Sequence, residues 1–228
     1  PRLALGPRRG QPLVQAHRRG AGRHVRHRPS AAARSLTTKR TGTVGIVVSD
    51  ASNPFFGELL LGVEEVLRPQ NFALIICNTN ETLEYEAHYL NLLLNQRVDG
   101  IIAAATSQPW VELSKAEVQH TPIVFVDRTF ETLQDYYVGV DNKAGAYQGT
   151  QHLIQCGYRK IGILAGLDRL STMRQRLDGY CQALQDAGLL LNEKWIIPSH
   201  LSVEGGRQAM REMFAQPDVP EAIFINNN

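Results

Sequence analysis

No aspartate or glutamate occurs before Asp50 in this 228-residue chain, while eleven lysines and arginines lie within residues 1–40. Taking those eleven from the total of 24 leaves thirteen basic against 22 acidic residues over 41–228, a net charge of −9. The overall charge of +2 therefore hides a basic arm on an acidic body, an asymmetry suited to a polyanionic partner for the arm. Cysteine is also scarce: Cys77, Cys156 and Cys181 are odd in number, far apart and outside any Cys-x-x-Cys or metal-ligand spacing. Reduced buried thiols and a cytoplasmic setting are the expectation. No apolar run approaches the roughly 18 to 20 residues of a membrane helix, so no membrane partner is expected. The motifs of common enzyme classes are missing too: there is no Gly-x-Gly-x-x-Gly after a strand, no Walker loop, no nucleophile elbow and no metal cluster. The chain reads as a non-enzyme without cofactor or metal.

What is present begins at residue 43. Short β-branched runs at 44–48, 73–77, 100–104, 123–127, 137–140, 160–164, 195–198 and 222–225 alternate with segments of helical periodicity. After the first run, Phe55, Phe56, Leu59, Leu60, Val63, Val66 and Leu67 recur on one helical stripe, with Pro54 where a first turn tolerates it. After the second, Leu83, Ala87, Leu90, Leu93 and Leu94 do the same. Strand starts spaced by the length of a βα unit predict a parallel sheet covered by helices on both faces. A second series runs through helices at 142–156, 172–187 and 203–215. The expectation is an α/β fold of two doubly wound parallel-sheet subdomains, 43–141 and 142–228, with a crossover near 141–159 and the second subdomain incomplete.

Residues 1–27 hold seven Gly or Pro, too many breakers for packed helices, and show no helix-turn-helix pattern. They are expected to be a disordered basic tail or a frameshifted segment. Residues 28–42 read as a short Ala-rich helical piece after Pro29, with Ser30 available as cap and Leu36 as its one large apolar residue, or as a flexible linker.

Several motifs then occur in order: Asp50-Ala-Ser-Asn-Pro-Phe-Phe56, Arg97-Val-Asp-Gly-Ile-Ile102, Val126-Asp-Arg128, Val140-Asp-Asn142, Gly157-Tyr-Arg-Lys-Ile-Gly162 and Arg176-Leu-Asp-Gly-Tyr180. Each is weak alone. Together with the segment from Pro29 to Leu36 they resemble the hinge and effector domain of the lactose-repressor (LacI/GalR) family of bacterial transcription regulators. The resemblance covers residues 28–228 and implies a periplasmic-binding-protein-like fold of type I, truncated at both ends, in which 1–27 stand in place of the DNA-reading headpiece. It further implies a cytoplasmic homodimer or higher homo-oligomer, operator DNA as partner, and a small-molecule effector, of sugar type, held between the subdomains. Dimer contacts are expected from the first helix and its neighbours.

By the same resemblance Leu36 is the hinge residue that wedges into the minor groove, Ala33 permits close approach of two hinge helices and Arg34 faces phosphates. Phe55 and Phe56 match an aromatic pair lining the effector pocket, one of the two being expected to serve the helix core instead. Asp127 and Arg128 match polar ligand contacts at the carboxyl edge of the sheet, with a strand-end ion pair as the alternative. Arg176 matches the arginine that forks onto the effector, against an exposed helix charge. Thr172 lies one turn earlier on the same face. Asn227 matches a hydroxyl-binding asparagine, and Leu201 stands where an aromatic is common. The alternative function is a periplasmic-type solute (sugar) binding protein.

Overall fold

The computed structural model describes residues 40–105, 121–128, 136–166 and 169–226. Ala33, Arg34, Leu36 and Asn227 lie outside them. Among the described residues the chain forms two all-parallel sheets. The first contains β1 (Thr43–Val48), β2 (Ala73–Asn78), β3 (Gly100–Ala103), β4 (Ile123–Val126) and β5 (Tyr137–Val138) in the order β2-β1-β3-β4-β5. The second contains β6 (Ile161–Ala165), β7 (Ile196–Pro198) and β8 (Ala222–Ile225) in the order β7-β6-β8.

Central strands buried on both faces read as unbroken apolar runs, and β1 and β6 do so. Ile46 and Val48 face a cluster with Phe56 from α1 (Pro54–Leu67), whereas Val47 faces one with Leu90 and Leu93 from α2 (Leu83–Asn95). The period-2 alternation of β1 thus feeds two helices on opposite faces. The second sheet repeats the plan. Ile161 and Ile163 pack on Tyr180 and Leu184 of α4 (Ser171–Asp186), joined by Leu153 and Ile154 of α3 (Asn142–Gln155). On the other face Leu164 meets Ala209 and Met213 of α5 (Val203–Phe214).

Local chemistry explains the boundaries. Asn53 caps α1 by accepting from the Phe55 amide at 3.0 Å, Asp141 caps α3 through the Ala144 amide at 2.9 Å, and Ser202 caps α5 through the Gly205 amide at 3.0 Å. Gly157, at φ +98°, lies just past α3 in the left-handed conformation that ends helices. Predicted element ends differ from observed ones by one or two residues, the usual uncertainty of frayed termini. Two differences have specific causes. The strand predicted over 123–127 stops at Val126 because Asp127 adopts φ +62°, and the one predicted over 137–140 closes after Val138, where its ladder with β4 ends. Among the described residues no helix is long and apolar enough to cross a membrane.

Candidate functional site

In both sheets the chain reverses its direction of growth beside a central strand. From β1 it passes to β2 on one side and then to β3 on the other; from β6 it passes to β7 and then to β8. A crevice opens outside the carboxyl ends of the strands at such a switch point, because the flanking helices run to opposite faces. Here the two crevices meet in one cleft of about 660 Å³. Its floor on one side is Ser49 and Asp50 after β1, Glu81 after β2, and Asp127 and Arg128 after β4; on the other it is Thr172, Met173 and Arg176 of α4 with Leu201 to Val203 after β7.

The Phe pair divides as its position demands. Phe56 is 3% exposed in the α1 core, and Phe55 is 43% exposed at the cleft, the rings meeting edge to face at 5.1 Å. Arg128 is buried, and its guanidinium closes a two-pronged fork on Glu81: Nη1 donates to Oε2 at 2.9 Å and Nη2 to Oε1 at 2.6 Å. The Asp127 carboxylate stands 3.5 Å from Arg128 Nε, so the strand-end ion pair exists but is secondary to the Glu81 fork. Burial pushes the Asp127 carboxyl above its usual range; Arg128 and Arg176 pull it back, and Glu81 adds to the rise.

Arg176 is not an exposed helix charge. Its Nε donates to Asn142 Oδ1 at 2.8 Å and its Nη1 to the Asn226 carbonyl at 2.6 Å, which ties α4 to the start of α3 and the end of β8. Burial lowers its pKa, Asp127 opposes that, and the positive Arg128 adds to it. Thr172, one turn away and 1% exposed, lines the cleft with a hydroxyl that has no hydrogen-bond partner among the described residues. The Ser49 hydroxyl and the Asn226 side-chain oxygen share that condition. Buried polar atoms without partners are rare because each forfeits its hydration, and the Ser49 and Thr172 hydroxyls, which line one cleft, suit a polar occupant.

The sequence reading brought Phe55, Asp127, Arg128, Thr172 and Arg176 to this place and missed others. Glu81, Ser49, Asn142 and Asn226 carry no pattern as single residues. The available signal was positional: polar residues directly after β-branched runs mark the carboxyl edge of a parallel sheet, and Asn78-Thr-Asn-Glu81 is such a cluster. The backbone sharpens it. Asn80, Glu81 and Asp127 all have positive φ, at 49°, 58° and 62°, a conformation that side chains other than glycine hold only under constraint.

Two parallel α/β units facing each other across a polar cleft with one aromatic wall define the class of two-lobed small-ligand receptors. The family described as periplasmic binding proteins and sugar binding domain of LacI family matches residues 41–228, and the chain belongs to it. The HTH-type transcriptional repressor PurR of Photobacterium profundum is 35% identical over 206 residues, covering 90% of this chain and 61% of that protein. The ribose operon repressor of Haemophilus influenzae is 34% identical over 203 residues, covering 88% of this chain and 60% of the relative. The solved complex of the transcriptional regulator CelR with cellobiose superposes with a TM-score of 0.71 at 27% identity, over 87% of this chain and 66% of that one. The chain thus spans about three fifths of the length of these curated relatives. All three are named as transcriptional regulators and none as an enzyme.

Proposed function

We propose that this chain carries the ligand-sensing part of a cytoplasmic, DNA-binding transcriptional repressor, with a small effector, of sugar type, bound in the cleft. The carrying observation is the convergence of an exposed aromatic ring, a partly buried carboxylate and unpartnered hydroxyls from both sheets on one cavity of about 660 Å³, a size suited to a small molecule. Phe55 stacks on the effector, Asp127 accepts from its hydroxyls, Arg176 and Thr172 meet it from the second sheet, and Asn227 adds a contact beyond β8. Arg128 acts through its fork with Glu81, and Phe56 acts by fixing the start of α1. Ala33, Arg34 and Leu36 form the hinge contact with operator DNA, and the body is divided at residues 141/142.

Effector binding changes how the two lobes sit together, and the hinge reads that change as a coupling free energy of roughly 1 to 3 kcal/mol. Two-fold operators call for a dimer. Its face is α1 with the neighbouring edge strand β2, where Leu61, Val66 and Ile76 stand exposed.

A thermal-shift screen of the chain against sugars and nucleobases tests the reading. At least one compound is expected to raise the unfolding temperature, and Arg176→Ala to remove that rise. A screen with no response, or a response indifferent to Arg176, would refute the cleft assignment.

A further inference from the structure

We propose that Glu81 makes this cleft, read above as the site of a sugar-type effector, favour an uncharged ligand over its phosphate ester by holding the Arg128 guanidinium in a closed fork. The inference rests on reading this cleft as the effector site. It begins with charge. Among the described residues five ionisable side chains line the cleft, Asp50, Glu81 and Asp127 against Arg128 and Arg176, for a formal net charge of −1, with Arg169 held nearby on the Glu81 carbonyl. The cations are largely engaged already, although Arg128 Nε, 3.5 Å from the Asp127 carboxylate, has no hydrogen-bond partner among the described residues. Both terminal nitrogens of Arg128 are on Glu81, and Arg176 has Nε on Asn142 and Nη1 on the Asn226 carbonyl.

A phosphoryl group carries about −1.5 to −2 charges at neutral pH. To enter, it would displace a two-pronged carboxylate from a buried guanidinium while facing two further carboxylates. The uncapped N-terminus of α4 contributes only about half a positive charge in its favour. The first turn of α1 contributes less, because the Phe55, Phe56 and Gly57 amides are all taken by Asn53.

A hydroxylated ligand meets the opposite conditions. A hydroxyl donates and accepts at once, so it can serve the Asp127 carboxylate and the unpartnered, fully buried hydroxyls of Ser49 and Thr172 together. The exposed face of Phe55 suits the apolar side of a ring.

Glu81 is held in place at a cost that its packing alone does not explain. It follows Asn80 in two consecutive left-handed conformations, a turn kept by Asn78 Nδ2 donating to Asn80 Oδ1 at 2.8 Å and Thr82 Oγ1 donating to the Asn80 carbonyl at 3.2 Å. That turn aims the carboxylate at Arg128. Neutralising Glu81 would release a buried cation to the cleft without changing the cleft's outline.

Calorimetric titration of the whole chain decides this, using D-ribose, D-glucose and D-galactose, their monophosphate esters, and hypoxanthine as an uncharged base that lacks a polyol. One uncharged sugar is expected to bind at least tenfold tighter than its phosphate ester and tighter than hypoxanthine. Glu81→Gln is expected to narrow the sugar-to-ester ratio at least tenfold, and Glu81→Gln with Arg128→Met to restore it. Esters binding as tightly as their parent sugars, or hypoxanthine binding alone, would overturn the ligand class while leaving the cleft as a binding site. A ratio unmoved in a folded Glu81→Gln variant would remove Glu81 from selectivity. If none of the compounds binds, the effector-site reading fails and this inference with it. The titrations on the unaltered chain settle the ligand class whether or not the variants fold.

Discussion

Asp127 shows how the placement of a single side chain can work against folding. Its carboxyl is partly buried and titrates above its usual range, chiefly through desolvation, and its backbone is left-handed. The sign of the consequence follows directly: a carboxyl with a raised folded-state pKa is neutral in both states at low pH, and as pH rises the unfolded chain ionises first. Asp127 therefore costs stability that appears as pH climbs from the ordinary carboxylate value, near 3.8, through the raised one. Asp127→Asn is expected to melt higher than the parent at pH 7, with the difference vanishing near pH 3, while weakening effector binding; melting curves across pH 3 to 8 check both. A parent more stable than the variant at pH 7 would show that the Arg128 and Arg176 attractions outweigh burial. Arg128 illustrates the complementary case. Removing Glu81's partner by Arg128→Met leaves a partly buried carboxylate uncompensated, and a loss of about 3 kcal/mol in chemical denaturation is expected, at the low end of broken buried ion pairs because Glu81 retains some exposure.

Elements are fixed here by a few close approaches. α3 and α4 cross where Gly179 faces the backbone of α3, and a Cβ at that position would collide with the Lys143 carbonyl oxygen and press on the Tyr147 amide. Gly179→Ala is thus expected to be destabilising by about 2 kcal/mol despite alanine's better helix propensity, since overpacking against backbone cannot be relieved by a rotamer change. A stabilised variant in denaturant titration would contradict this. One residue on, the Tyr180 hydroxyl, fully buried, donates to the Ile161 carbonyl at 2.7 Å and pins α4 to β6. Tyr180→Phe should lose about 1 kcal/mol, the net worth of a buried neutral hydrogen bond, with unchanged circular dichroism. These two contacts explain why Gly and Tyr follow Arg176 in sequence: the same helix face that docks on α3 and β6 sets the direction in which the arginine points. Helix periodicity was legible from the sequence because apolar spacing reports burial. The depth of the α3–α4 crossing was not, because a glycine gives no sign of which backbone it will meet.

At the scale of the whole molecule, the contact to weigh is one that crosses from one sheet's side of the cleft to the other. Arg169, preceding α4, reaches the Glu81 carbonyl across the cleft at 3.2 Å. A ligand that binds only the folded chain stabilises it by about 2.7 kcal/mol at a hundredfold excess over its dissociation constant, and Arg169→Ala is expected to weaken the ligand a few-fold while leaving the unliganded melting temperature within about a degree. A large loss of unliganded stability would instead make Arg169 a structural tie. Charge is distributed at this scale too: residues 41–228 carry a net −9, which disfavours polyanions on the body, and residues 1–40 carry eleven cations.

Sequence by itself determined the α/β class and the order of strands and helices, because period-2 and period-3.6 burial are local consequences of a parallel sheet's geometry, whereas Phe55, Asp127, Arg128, Thr172 and Arg176 were marked by their resemblance to a family's motifs. It also determined that Phe55 and Phe56 must face different ways, adjacent positions on a helix of 3.6 residues per turn being about 100° apart. Only the tertiary structure decided which ring entered the core, that Arg128 closes on Glu81 in place of an open fork, and that Arg176 is anchored by Asn142 and the Asn226 carbonyl. Those choices depend on residues 34 to 50 positions apart, whose separation in space follows from strand order and turn conformation, and no local pattern encodes that distance.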